Sequence, residues 1–189
     1  PGMQLNFGAG FLPEDTELSP MVESGAYSRR YTFSRSSLPL FYYANLALKL
    51  TTPVRDPSKL YVVCHSFRDL NMGGYYKNGW VHAKARDLGH SYEIAYDDVP
   101  PIINPVNQGA WNAHGVITIG IEDAQSGVKS YKAYVDGTFV LFKDVPKSPW
   151  VRCHLKDTPI RKNGTPHSFK FVLTDERNNI RVYTSTINY

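Results

Sequence analysis

Residues 117–142, ITIGIEDAQSGVKSYKAYVDGTFVLF, leave little room for anything but antiparallel sheet. Ile117, Ile119 and Ile121 alternate with Thr118, Gly120 and Glu122, the period-two pattern of a strand with one buried face. A turn is expected at residues 123–127. A second strand then places Tyr131, Ala133 and Val135 on one face and runs into Asp136-Gly137. That pair, between Tyr134-Val135 and Thr138-Phe139, signals a hairpin, because both central residues of a type I′ turn need φ > 0.

A second hairpin of the same kind is expected earlier. Tyr75-Tyr76-Lys77 meets Trp80-Val81-His82 across Asn78-Gly79. Other period-two runs fall at residues 3–7, 26–33, 41–50 and 91–96, with Gly/Pro-rich loops at 8–20 and 34–39, and a near-continuous β-prone run at 60–67 reads as a central strand. No segment holds a 3.6-residue period, so helix should be minimal. In the second half, strands are expected at 116–122, 129–135, 138–142, 150–155, 168–174 and 180–187. Turns recurring every roughly 8–12 residues are what a sandwich requires.

At 189 residues, two sandwiches of about 90–100 residues each fit the usual domain size. The stretch DDVPPIINPVN, residues 97–107, is the natural boundary, since its three prolines stiffen the backbone and lack amide donors. The expected architecture is therefore all-β: two tandem β-sandwich domains, 1–98 and 99–189, joined by a proline-rich connector.

Charge is unevenly placed. Residues 1–98 carry ten Lys/Arg and ten Asp/Glu; residues 99–189 carry eleven against seven. The basic excess is too diffuse for a nucleic-acid footprint, so no nucleic-acid partner is expected. No run is long and apolar enough to span a bilayer. The chain opens Pro-Gly-Met without a leader pattern, which reads as a mature protein or an excised piece of a longer one.

Cys64 and Cys153 fall in different expected domains and read as buried thiols rather than a disulfide. Each is followed by a histidine, His65 and His154. Adjacent strand residues face opposite ways, so neither pair can form a local dyad or chelate. No metalloprotease, nucleophile-elbow, Walker or dinucleotide motif is present. Neither catalytic residues, a cofactor nor a metal is assigned, and the chain is not expected to be an enzyme. Asp123, Asp136, Asp175 and Glu176 could gather for calcium, but turn capping suffices to explain them. Asn163-Gly164-Thr165 reads as a Gly-containing turn. Tyr42-Tyr43 and, around the first hairpin, Tyr75, Tyr76 and Trp80 could offer a platform for a sugar ring; cross-strand stabilisation of the sheet is the competing reading.

DDVPPIINPVN, the 117–142 segment and HSFKFVLTDERNN together resemble bacterial immunoglobulin-like modules of the form PP-x-I … D-x-x-SG-I … VDG … D-x-x-GN. Phe7, Gly10, Leu12 and Asp15, LYVVCHSF and the segment from Gly73 to Pro101 are similar to the strands that precede such a module. More narrowly, the chain resembles the C-terminal, non-catalytic region of Bacteroidetes homologues of lysostaphin-type zinc endopeptidases. The family's closing Gly-Asn is Asn178-Asn179 here, and Asn tolerates the left-handed conformation. The resemblance implies an immunoglobulin-like second domain and export to the periplasm or surface of a Gram-negative bacterium. It also implies a module that positions a partner domain or binds another surface component. Glycan or peptidoglycan binding through Tyr75, Tyr76 and Trp80, and adhesion or pilus-type assembly, are the alternative functions.

Overall fold

The computed structural model describes residues 2–12, 14–34 and 36–189. Pro1, Pro13 in the 8–20 loop and Arg35 in the 34–39 interruption lie outside them. The protein is all-β, with four antiparallel sheets, and divides into two compact units, Pro1–Asp98 and Val99–Tyr189.

The described strands of the first unit are β1 Met3–Asn6, β2 Met21–Ser24, β3 Arg29–Ser34, β4 Pro39–Lys49, β5 Leu60–His65, β6 Asp69–Asn71, β7 Tyr75–Lys77, β8 Trp80–Asp87 and β9 His90–Tyr96. They form a sheet in the order β1-β4-β8-β7 and another in the order β2-β3-β9-β5-β6. Period two decides the packing. Leu46, Leu48, Val81 and Ala85 from the first sheet meet Tyr31, Leu60, Val62, Cys64, Tyr92 and Ile94 from the second. Each fully buried Leu, Ile or Val contributes about 1.5–3 kcal/mol. Asn78 and Gly79 have φ of 49° and 85°, so the β7–β8 hairpin turns as its sequence demands. The run at residues 3–7 is shorter than its alternation suggests, and β2 and β6 lack an alternating signature that would reveal them.

The second unit contains β10 Ile102–Val106, the single-turn α1 Trp111–His114, β11 Val116–Glu122, β12 Val128–Val135, β13 Thr138–Val140, β14 Lys143–Asp144, β15 Trp150–His154, β16 Pro166–Asp175 and β17 Ile180–Asn188. Its sheets run β10-β11-β15-β14 and β13-β12-β16-β17. Ile117, Ile119, Val151 and Cys153 pack against Ala133, Val135, Phe169, Phe171, Leu173 and Ile187, with Trp111 at the margin. The Trp111 indole donates to the Val106 carbonyl at 2.8 Å, which satisfies its one buried donor. Tyr131 stacks on Phe171 at 5.8 Å and donates to Asp144 Oδ1 at 2.9 Å.

The 97–107 connector needs a correction. Its second half is β10, paired with β11 so that Pro105 lies opposite Ile119. An edge strand tolerates proline because one side of its backbone needs no ladder donor. Both cysteines are buried and free, and each following histidine points away from its core. Burial pushes the Cys153 thiol up to about 11; burial likewise raises Cys64.

Candidate functional site: the outer face of the four-stranded sheet in the first unit

The residues that alternate with the core positions of β1, β4, β8 and β7 face outward in cross-strand rows. In one row Gln4 lies opposite Ala47, Ala47 opposite His82, and His82 opposite Tyr75. Two residues along, Asn6 lies opposite Asn45, which lies opposite Lys84. Two residues the other way, Lys49 lies opposite Trp80, which lies opposite Lys77.

Between these rows is a cavity of about 590 Å³, lined by Gln4, Asn6, Asn45, Ala47, Tyr75, His82 and Lys84, with Met72 and Gly74 at one side. Small-ligand sites typically enclose about 300–1,000 Å³. The hollow exists because Ala47 offers only a methyl group between the long side chains of Gln4 and His82. Tyr75 supplies the wall. Its ring stacks on the His82 imidazole, with centroids 5.1 Å apart and planes 16° from parallel, and it is 61% exposed.

Gly74 allows that wall to stand where it does. Its φ is +125°, and a Cβ there would meet the His82 carbonyl oxygen at 2.9 Å and Val81 Cγ1 at 3.3 Å. Only glycine lets the chain enter β7 this close to β8. Chemically, the groove presents an aromatic face, three carboxamides that each donate and accept, and an ammonium. That set suits recognition of a polyhydroxylated ring.

Two imidazole–carboxylate clusters lie elsewhere. In the first unit Arg30 Nε and Nη2 donate to Glu93 Oε1 at 3.1 and 2.5 Å. His65 sits between Glu93 Oε1 and Asp69 Oδ1, 2.7 Å from each. Glu93 is 7% exposed, and Gly25 packs so closely over it that a Cβ would meet its Oε2. Both ring nitrogens of His65 are engaged inside the cluster, which pins β3, β9, β5 and β6 across the sheet. In the second unit His167 Nδ1 lies 2.7 Å from Asp136 Oδ2, while the Ser168 amide donates to Asp136 Oδ1 at 2.7 Å. This cluster holds the β12–β13 hairpin to β16. The hydrogen bond from His167, then that from the Ser168 amide, keeps the Asp136 carboxyl below its ordinary range.

Comparison with family models gives a match to the Zu5-like domain over residues 1–97, just over half of the 189 residues. The chain belongs to the Zu5-like domain family. The groove therefore lies within the part of the chain that the Zu5-like domain covers. A solved structure described as the Spr0440 glycoside hydrolase domain, Endo-D, from Streptococcus pneumoniae R6 is similar to the chain at 11% identity and a TM-score of 0.30. The alignment covers 98% of this chain and 37% of that one, so the chain spans little more than a third of that structure's length. A score so low establishes neither a shared fold nor a shared activity. Comparison with curated proteins gives no match.

Of the three aromatic residues expected to contact a glycan, Tyr75 and Trp80 share the outer face, and only Tyr75 lines the groove. Tyr76 does not join them. Lying opposite the fully buried Val81, it points to the inner side, beside Pro53, Pro57 and Gly79. Parity along a three-residue strand makes this unavoidable. His82, Asn45, Gln4 and Asn6 escaped sequence reasoning because they come from separated strands, and each alone is an ordinary surface residue, three of them exposed and His82 half-buried.

Of the four carboxylates considered for calcium, Asp123 and Asp175 come together, and Asp136 and Glu176 do not join them. Asp123 Oδ1 accepts from the amides of Gln125 and Gly127 at 3.1 and 2.6 Å. Asp175 Oδ1 accepts from the amides of Arg177 and Asn179, and its Oδ2 from Asn179 Nδ2. One oxygen of each comes within 4.8 Å of the other, but turn amides account for both positions. Asp136 lies at the far end of β12 and β16, and Glu176 is exposed. Asn178 takes φ of 59°, the left-handed position that the turn requires. Asn163 Oδ1 accepts from the Thr165 amide at 2.9 Å, closing the glycine-containing turn.

Proposed function

We propose that this Zu5-like protein is a non-catalytic binding module whose first unit recognises a glycan in the groove of its four-stranded sheet. The observation that carries the reading is the Tyr75–His82 stack standing beside the carboxamides of Gln4, Asn6 and Asn45 around one cavity. An aromatic face covers the apolar side of a sugar ring, while carboxamides exchange hydrogen bonds with its hydroxyls. The His65 cluster favours binding over catalysis, because both of its ring nitrogens are spent on Asp69 and Glu93.

The second unit is read as immunoglobulin-like. With its eight strands lettered A to G, C′ included, the sheet orders correspond to ABED and C′CFG, which supports that reading. Export to the cell envelope, and a role in positioning a partner domain there, rest on the likeness of the sequence motifs to lysostaphin-type appendages.

Glycan-array binding of the full chain tests the proposal, with Tyr75→Ala and Tyr76→Ala as the comparison. Binding that is lost with Tyr75→Ala and kept with Tyr76→Ala is the expected result. An array without signal, or equal loss in both variants, would sink it.

A further inference from the structure

We infer that the groove selects an anionic sugar, a carboxylate- or sulfate-bearing residue of a glycan, through Lys84 and the lysines of the adjoining row; this rests on the glycan reading above. The charge on this face is out of proportion to its surroundings. Residues 1–98 carry equal numbers of basic and acidic side chains. Yet β1, β4, β7 and β8 together hold Lys49, Lys77, Lys84 and Arg86 against a single carboxylate, Asp87. That carboxylate is already engaged. It accepts from the amides of Leu38 and Gly89 at 2.7 and 2.6 Å and from the Ser37 hydroxyl.

The cations are free to act on a ligand. Lys49, Lys77 and Lys84 are exposed, and among the described residues none of them makes a salt bridge. Arg86 instead lies over the Tyr43 ring at 5.5 Å. Register places them around the stacking row. Lys84 lies one outward position along β8 from His82, and Lys49 and Lys77 lie one outward position the other way, beside Trp80. At about 3.3–3.4 Å per residue, each step of two is roughly 7 Å. That is the reach of a substituent on a ring seated against Tyr75. Of these lysines, Lys84 is the one that lines the cavity itself, beside Asn45, so it is the anchor for the anionic group. A neutral sugar would leave this ammonium without a counter-charge; an acidic one supplies it at the cavity wall.

Calorimetric titration of the full chain tests this with matched neutral, uronate-containing and sulfated oligosaccharides, and with an oligoglutamate of equal charge. Each is measured at low and high salt, between which the Debye length falls from about 30 Å at 0.01 M to about 3 Å at 1 M. The acidic oligosaccharides should bind more tightly than the neutral one and weaken with salt. Lys84→Gln should cost them about tenfold at low salt, while Lys156→Gln, in the other unit, changes nothing. Binding of the uronate alone, or of the sulfated sugar alone, would assign the anion. Equal, salt-independent binding of neutral and acidic sugars overturns the inference and leaves the glycan reading standing. Oligoglutamate binding as well as the acidic sugars overturns it too, since the face would then be a general anion surface. Absence of binding to any sugar removes both readings.

Discussion

Gly74→Ala tests whether the groove wall depends on the backbone conformation at its base. Gly74 adopts φ of +125°, and a Cβ there would lie 2.9 Å from the His82 carbonyl oxygen, 3.3 Å from Val81 Cγ1 and 3.6 Å from Ala83 Cβ. Holding alanine in that region costs roughly 1–3 kcal/mol. Restricting the unfolded chain returns about 0.4–1 kcal/mol. The contact to a ladder carbonyl cannot relax without moving β7 from β8, so the net loss should be about 2 kcal/mol. For a unit of this size that is a fall in melting temperature of about 8–16 °C. Gly73→Ala is the internal control. Its φ is +68° with open space around the Cβ position, so only the left-handed penalty of about 1 kcal/mol applies. Scanning calorimetry of the full chain reads both variants, and ligand titration at a temperature where each is folded reads the groove. Gly74→Ala should lose more stability than Gly73→Ala and should also lose ligand affinity, because Tyr75 follows directly and its stack on His82 is displaced. A Gly74→Ala protein as stable as the parent, or one less perturbed than Gly73→Ala, would refute the reasoning.

Three further outcomes are expected. Because its hydrogen bonds lower the Asp136 carboxyl from 3.8, their contribution is complete above the unfolded value and is lost as pH falls through the lower folded one. Asp136→Asn, which keeps a residue suited to the type I′ turn, should therefore flatten the acid limb of the second unit's stability; an unchanged acid limb would count against it. Phe171→Ala removes a fully buried ring from the second core and should cost about 3–5 kcal/mol in a denaturant titration, with a loss under about 1 kcal/mol contradicting the packing. With its thiol pushed up to about 11 and buried, Cys153 should resist a thiol reagent at neutral pH until the protein is unfolded. Rapid labelling of the native protein would mean that the core opens readily.

Local chemistry written into neighbouring residues was legible without coordinates. Alternating Ile117, Ile119 and Ile121, the Asn78-Gly79 and Asp136-Gly137 turns, and the Cys64-His65 and Cys153-His154 parities each depend on residues a few positions apart, where backbone geometry is the same in any fold that contains the strand. The class of fold follows from them, and so does the assignment of Asp123 and Asp175 to turns. Elements held by partners rather than by their own pattern were not legible. β10 runs through Pro105 because it is an edge strand, and β14, two residues long, exists only because Lys143 and Asp144 meet β15. The candidate site belongs to this second kind. Gln4, Ala47, His82 and Tyr75 are separated by up to 78 positions and become one row only when four strands settle in register. The same register turned Tyr76 away from the face that Tyr75 and Trp80 share. Sequence by itself determined where the chain could be strand and turn, because those preferences are local. Which side chains stand next to one another across a sheet was decided by tertiary structure alone, because register is settled by burying Leu46, Leu48 and Val81, and the outward residues follow wherever those three must go.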